Sequence, residues 1–335
     1  MQNLGLLTKI SSLGLMILLV SACSGANEAT SSNSVKPEAQ VNLQCLDDFE
    51  PMPRPIPALP VTTTSVSGET VSITSVDRIV ALAPGSAEIV WALGLGDLVA
   101  GKDLVSVFPG SDKLPTVNPG HEVSLETVLS INPSLVLADD SEENLDAVQK
   151  LGELGIPVVT IPDATNVAQI APRISAIANA IGVTDAGAKL VATTEEKLQQ
   201  AAASTMTEKS IAFLYLRGNA GVYLIGGKGS GADSIISALG AKDSGTELGI
   251  EGFAPLTAES LAKANPDVLL VMNEGLESVG GLEKLLALPG VSSTAAAKNS
   301  AVIQADDRVL LAFGPQTPNV ISCLALQLNS LNEAA

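Results

Sequence analysis

Short unbroken apolar runs alternate along this chain with longer stretches in which apolar residues recur every three or four positions. The runs Ile79–Ala83, Ile156–Ile161, Ser210–Leu216 and Ala301–Gln304, with the Leu/Val-rich runs after Pro133 and Pro266, predict buried strands. Helical spacing covers Glu142–Leu154 (ended by Gly155), Thr184 to about Ala202, Gly281–Leu288 and Asn319–Leu328. It also covers Asp163–Ile181, through Val167, Ile170, Ile174, Ile177 and Ile181. Pro172 lies inside that last stretch, so a kink or a split is expected there. Strands alternating with helices predict mostly parallel sheets with helices on their faces.

One fifteen-residue phrase occurs twice. Val123–Leu137 reads VSLETVLSINPSLVL and Leu256–Leu270 reads LTAESLAKANPDVLL, aligned without a gap. Ser124 and Thr257 are N-caps for a short helix, and Glu126 and Glu259 sit in its first turn, where the helix dipole favours a negative charge. Asn132-Pro133 and Asn265-Pro266 stop the helix, because the residue before proline is pushed out of the right-handed α region. A core strand follows in each copy. The two openings match as well. Ile79–Ala83, the turn Pro84-Gly85-Ser86 and a helix to Leu93 end in Ala92-Leu93-Gly94, and a second strand, turn and helix ends in Ala238-Leu239-Gly240. The chain therefore divides into two similar α/β lobes.

Composition narrows the picture. Residues are 46% hydrophobic but only 2% aromatic, so the cores are aliphatic. A net charge of −18 excludes nucleic acid as partner, since phosphate binding needs a basic surface. Lys9, the apolar stretch Leu13–Val20 and the small residues before Cys23 read as an export signal. Val20-Ser21-Ala22-Cys23 resembles the lipobox of bacterial lipoproteins, which makes Cys23 the lipidated first residue of a membrane-anchored, extracytoplasmic chain. Ser24–Gln40 reads as a tether and Pro51–Pro60 as a stiff polyproline strap lying on the folded body. With Cys23 modified, Cys45 and Cys323 are left to form a disulfide in an oxidising compartment. The expected divisions are a signal peptide (1–22), tether and strap (23–74), first lobe (75–162), bridging helix (163–182) and second lobe (183–335).

Enzyme constellations fail. Gly226–Gly231 lacks the spacing of a Walker loop, and neither lobe carries a dinucleotide fingerprint or a nucleophile elbow. The single histidine, His121, assembles no base and orienter around a nucleophile. The expectation is a binding protein rather than an enzyme. Tyr215 and Arg217 stand two apart near the carboxyl end of a strand, on one face. A guanidinium beside a phenol favours phenolate, which is a good ligand for ferric iron.

From about Ser75 to Leu328 the chain resembles the substrate-binding proteins of ABC importers for haem, cobalamin and ferric siderophores. PGHEVSLE (Pro119–Glu126), FLYLRGNAGVYLIGGKGSGAD (Phe213–Asp233) and VMNEGLESVGGLEKLLALPGV (Val271–Val291) are similar to the haem-binding branch. The resemblance implies two Rossmann-like lobes joined by one long helix, here around Asp163–Ile181, with Pro172 as a departure. It implies ferric haem held between the lobes by His121 and Tyr215 as axial ligands, with Arg217 steadying the tyrosine and Met272 lining the pocket. It further implies a monomer that meets the permease and ATPase subunits through Glu126 and Glu259. Cobalamin or a ferric siderophore is the alternative ligand.

Overall fold

In the computed structural model, which describes residues 49–119, 123–139, 141–204 and 207–333, regular structure begins with an antiparallel hairpin, β1 (Val61–Thr64) and β2 (Thr70–Ile73). Folded structure thus starts ahead of Ser75. The reason is tertiary. Ile73 is fully buried, and the hairpin docks on the edge of lobe one, where Ser65 Oγ accepts from the Thr160 N–H at 3.1 Å and the Val66 N–H donates to the Thr160 carbonyl at 3.0 Å.

Lobe one comprises β3 (Ile79–Ala81), α1 (Ser86–Val90), β4 (Val99–Gly101), α2 (Leu125–Ile131), β5 (Leu135–Ala138), α3 (Glu142–Glu153) and β6 (Val158–Thr160). Its four strands are all parallel, in the order β4-β3-β5-β6. A 3-10 turn, Val167–Gln169, then leads into α4 (Ile170–Ala180), and α5 (Thr184–Ala203) packs back on it. Pro172 is the third residue of α4, where a backbone N–H has no intrahelical acceptor, so it neither kinks nor splits the helix. The stretch Asp163–Asn166 stays outside the helix because the Asn166 side chain caps the turn, accepting from the Ala168 N–H at 3.0 Å.

Lobe two comprises β7 (Ser210–Arg217), β8 (Val222–Gly226), α6 (Ala232–Ala238), β9 (Lys242–Asp243), α7 (Ser244–Glu247), β10 (Phe253–Pro255), α8 (Ala258–Ala264), β11 (Val268–Met272), α9 (Asn273–Ser278), α10 (Leu282–Leu286), α11 (Ala295–Lys298), β12 (Val302–Ala305) and α12 (Thr317–Glu333). The sheet is mixed, in the order β10-β8-β7-β11-β12, with β9 also on β7. β7, β11 and β12 are parallel, while β8 turns back antiparallel on β7 and β10 pairs antiparallel with β8. The expected strand-turn-helix after Ser210 is therefore a hairpin and then a helix. The run Val222-Tyr223-Leu224-Ile225 is apolar but short and only partly buried, and its antiparallel pairing on β7 makes it a strand.

The repeated phrase folds twice as read. Ser124 accepts from the Thr127 N–H and Thr257 from the Ser260 N–H, and Asn132 (φ 52°) and Asn265 (φ 39°) end α2 and α8 in the left-handed region. β5 and β11 follow. Alternate residues of these strands divide between two faces. Ile79, Ala81, Leu135 and Leu137 of lobe one share a single core with Ile211, Phe213, Val268 and Leu270 of lobe two. The intervening residues face outer cores under α2 in lobe one and under α8 in lobe two.

The proline-rich segment lies on lobe one. The Met52 N–H donates to the Ala92 carbonyl and the Ala58 N–H to the Gly182 carbonyl, both at 2.8 Å. Two glycines make this possible. A side chain on Gly94 would start 2.4 Å from the Met52 carbonyl oxygen, and one on Gly182 would start 2.8 Å from that of Ala58. Just upstream, Phe49 packs on Trp91, which stacks on Phe108, and Lys197 of α5 lies over the Phe49 ring. Cys323, on α12, is disulfide-bonded; Cys23 and Cys45 lie outside the described residues.

Candidate functional site

In open α/β sheets ligands gather beyond the carboxyl ends of the strands. Here the segments that follow β3 and β12 meet across the lobes, where a Cβ on Gly85 would stand 3.2 Å from the Ala312 carbonyl and the Gln316 N–H donates to Glu88. On the lobe-two side, Tyr215 and Arg217 occupy the last positions of β7. The guanidinium carbon of Arg217 stands 4.7 Å from the centroid of the Tyr215 ring, a cation–π contact. Nη1 donates to the Leu216 carbonyl at 2.9 Å, and Nη2 lies 2.9 Å from Asp307 Oδ1, close but not aligned as a hydrogen bond. The other Asp307 oxygen accepts from the Glu274 N–H at 2.8 Å. Arg217 therefore lies over the Tyr215 ring face, with its donors directed at Leu216 and Asp307. Phe253 meets the Tyr215 ring edge-on at 5.8 Å and also touches Phe213. Met272, the last residue of β11, is 3% exposed and packs in the shared core, one position beyond the Leu214–Val271 pair.

On the lobe-one side a buried polar group closes the strand ends. Arg173 of α4 is 1% exposed and donates to the Pro84 carbonyl after β3. Four carboxylates act on it, Asp163, Asp103, Asp139 and Glu88. Asp103 accepts from the N–H groups of Gly85, Val105 and Ser106 at 2.8–3.0 Å and from the Ser106 hydroxyl. Burial still pushes its carboxyl above the ordinary range. Asp139 gathers the Ser141 backbone and hydroxyl and the Asn144 amide.

Glu88 of α1 joins the lobes. Its Oε1 accepts from the Gln316 N–H at 3.3 Å, while the Gln316 side chain donates to the Val107 carbonyl at 3.0 Å. Gly314 leaves the room this needs, since a Cβ there would stand 2.9 Å from Glu88 Oε1. Burial pushes the Glu88 carboxyl from 4.5 up to about 7 against the pull of Gln316.

His121 lies outside the described residues, so the structure does not bring it to Tyr215 or keep it away. Glu126 and Glu259 are exposed in the first turns of α2 and α8. In the glycine-rich loop after β8, the Asp233 carboxylate accepts the Gly229 and Gly231 N–H groups at 2.8 and 3.0 Å, which occupies donors a phosphate would need. Two grooves lie elsewhere. One of about 520 Å³ runs beside the proline strap and Trp91, and one of about 410 Å³ separates α5 from α12. Neither is lined by Tyr215, and the charged pair in the first, Arg54 with Asp97, is exposed and self-balanced, so chemistry rather than size points to the strand ends. Among the described residues no helix is long and apolar enough to cross a membrane, and no three His, Cys, Asp or Glu side chains stand together as a metal site.

Sequence reasoning missed Phe253, Asp307 and the Glu88–Gln316 contact. Phe253 alone carried a signal, as one of only five phenylalanines in the chain. The others depend on segments far apart in sequence.

The Glu88 shift has a stability consequence. The folded protein keeps a proton that the unfolded chain releases, so stability is highest below about pH 4.5 and falls as pH rises through about 7. A shift of this size corresponds to roughly 3 kcal/mol. Glu88→Gln is expected to flatten the melting temperature between about pH 5 and pH 8 and to raise it at the upper end. Asp103, shifted the same way by burial, leaves a residual slope. Parallel profiles for wild type and variant would contradict the assignment.

Residues 79–309 match the periplasmic binding protein family. The chain is 30% identical over 265 residues to the uncharacterized ABC transporter substrate-binding lipoprotein YvrC of Bacillus subtilis, covering 77% of this chain and 82% of that one. It is 25% identical over 207 residues to the vitamin B12-binding protein of Vibrio campbellii, covering 61% of this chain and 73% of that one. The crystal structure of the haem-binding protein HmuT superposes with a TM-score of 0.77 at 31% identity, over 84% of this chain and 95% of HmuT. The two-lobed fold, the strand ends meeting at one junction and this match together make the chain a member of the periplasmic binding protein family, an extracytoplasmic substrate-binding component of an ABC importer and not an enzyme.

Proposed function

We propose that the chain captures ferric haem between its lobes and delivers it to the permease, with Tyr215 and His121 as axial ligands of the iron. The observation that carries this reading is the Tyr215–Arg217 pair at the carboxyl end of β7, with the guanidinium stacked on the phenol ring. HmuT, a haem-binding protein, is known unaltered and with a histidine, a tyrosine or an arginine replaced by alanine, the last two standing two positions apart. Tyr215 and Arg217 have that spacing here. An anionic phenolate suits ferric iron, and the exposed Phe253 offers apolar surface for a porphyrin face, while Met272 is proposed to back the pocket from the core. Cobalamin is the second reading, favoured by the similarity to the vitamin B12-binding protein. A ferric siderophore is the third, carried by the sequence resemblance alone.

A haem titration followed in the visible spectrum separates these readings. Wild type should give a shifted, intensified Soret band, and Tyr215→Ala should weaken affinity by about tenfold or more, beyond the effect of His121→Ala. Its larger effect follows from removing the anionic ligand and the ring under Arg217. Wild-type spectra and affinity in both variants would refute this ligand set.

Glu126 and Glu259 are proposed to dock the two permease subunits, one from each lobe. Their twin exposed placement supports this, although each also compensates a helix dipole worth ~0.3–1 kcal/mol. With both changed to Gln, haem binding should persist while uptake and stimulated ATPase activity are lost; normal uptake would dismiss docking.

Cys23 is proposed to carry the lipid anchor, in keeping with the lipoprotein YvrC, and Cys45 to be the partner of Cys323. Such a bond would tie the segment before the strap to α12. Intact-mass analysis of protein from membranes, with thiol titration after denaturation without reductant, should find an acylated N-terminus and no free thiol. Two free thiols, or an unmodified Cys23, would refute the corresponding assignment.

A further inference from the structure

Arg217 lies over the Tyr215 ring because two of its nitrogens are held elsewhere. A guanidinium is a planar fork, with its donors at the edge and its faces free to meet an aromatic ring. Nη1 donates to the Leu216 carbonyl at 2.9 Å, and Nη2 lies 2.9 Å from Asp307 Oδ1. Leu216 belongs to the same strand as Arg217, so Asp307 is the contact that reaches the fork from another segment. With both nitrogens engaged, the guanidinium carbon stands 4.7 Å from the centroid of the phenol ring.

Asp307 is itself fixed. Its side chain is 8% exposed, against 31% for Arg217. One oxygen accepts from the Glu274 N–H at 2.8 Å, at the start of α9. The other, Oδ1, is buried and makes no aligned hydrogen bond, so the charge of Arg217 is what compensates it. α9 is docked in turn on the end of β7, where the Gly218 N–H donates to Ser278 Oγ at 2.9 Å. Gly275 allows the close approach, since a Cβ there would stand 3.0 Å from the Leu216 carbonyl and 3.4 Å from Arg217 Nη1. Asp306 does not compete for Arg217, because it takes Arg308 through two bonds at 2.9 and 2.7 Å. Adjacent aspartates thus serve different arginines.

We propose that Asp307 is a positioning residue for the iron-binding tyrosine. It holds the Arg217 guanidinium over the Tyr215 ring and so sets how the phenol oxygen is presented to the metal. The inference rests on the haem reading above and adds a residue that acts on the ligand through another side chain. Without the Asp307 charge, Nη2 turns to water, which the partial exposure of Arg217 permits, and the guanidinium leaves the ring.

The test compares ferric haem with metal-free protoporphyrin, which offers Tyr215 no iron, using the mature protein. Asp307→Asn keeps the shape and an acceptor for the Glu274 N–H while removing the charge. It should weaken ferric haem by roughly fivefold, the scale of coupling between neighbouring side chains, and shift the charge-transfer band, yet leave metal-free protoporphyrin unaffected. In an Arg217→Ala background the same substitution should change nothing further. Arg217→Lys, which keeps the cation and loses the planar fork, tests the arrangement without touching Asp307 and should give the same iron-dependent loss. Equal weakening of both porphyrins by Asp307→Asn and Arg217→Lys would mark a merely structural role and overturn the proposal. So would an unchanged haem spectrum and affinity in Asp307→Asn, or an equal loss with and without Arg217, and each of these leaves the haem reading intact. A wild type that does not bind ferric haem sinks that reading, and the positioning role falls with it.

Discussion

Both sheets bury alternate residues of their strands in one common core, and the rest of the molecule follows from that packing. Ile79, Leu135 and Leu137 from one lobe and Phe213, Val268 and Leu270 from the other face the same apolar interior, which α4, α6 and α12 also enter. The segment after β12 then reaches lobe one, where Gln316 meets Glu88 and Ala312 approaches Gly85.

Electrostatics at the junction therefore differ from those on the surface. Outside, the chain is strongly acidic and its charges are screened. Inside, Glu88, Asp103, Arg173 and Lys102 are desolvated, so each needs a partner, and Arg173 and Lys102 each donate to a backbone carbonyl. Glu88 is met by Gln316 from the other lobe, and Asp103 by a ring of backbone N–H groups. Residues that complete one another only across the junction make lobe separation a change in charge solvation as well as in apolar contact. A ligand entering there exchanges some of these contacts for its own.

Tyr215, Arg217, Phe253 and Met272 are grouped on lobe two through β7, β10 and β11. Both arginines of this region have an aspartate beside them, Arg217 at 2.9 Å from Asp307 Oδ1 and Arg308 held by Asp306, so lobe two presents a phenol and an aromatic edge beside internally balanced charges.

By itself the sequence determined the local elements. Ser124, Thr257, Asn132 and Asn265 act within a few residues of themselves, so caps and stops of the repeated phrase could be read directly. The aliphatic runs Leu135–Leu137 and Val268–Leu270 gave strands for the same reason, and Tyr215 and Arg217 could be placed on one strand face from spacing alone. Tertiary structure decided the rest. The β1–β2 hairpin is half polar and docks on Thr160, and the short apolar β8 becomes a strand because β7 offers an edge to pair with. Pro172 kinks nothing, because Asn166 starts the turn late enough to put the proline in the first turn of α4. Phe253 beside Tyr215, Asp307 beside Arg217 and Gln316 on Glu88 join segments roughly 40 to 230 residues apart, and pairings at such separations leave no periodicity for a sequence to display.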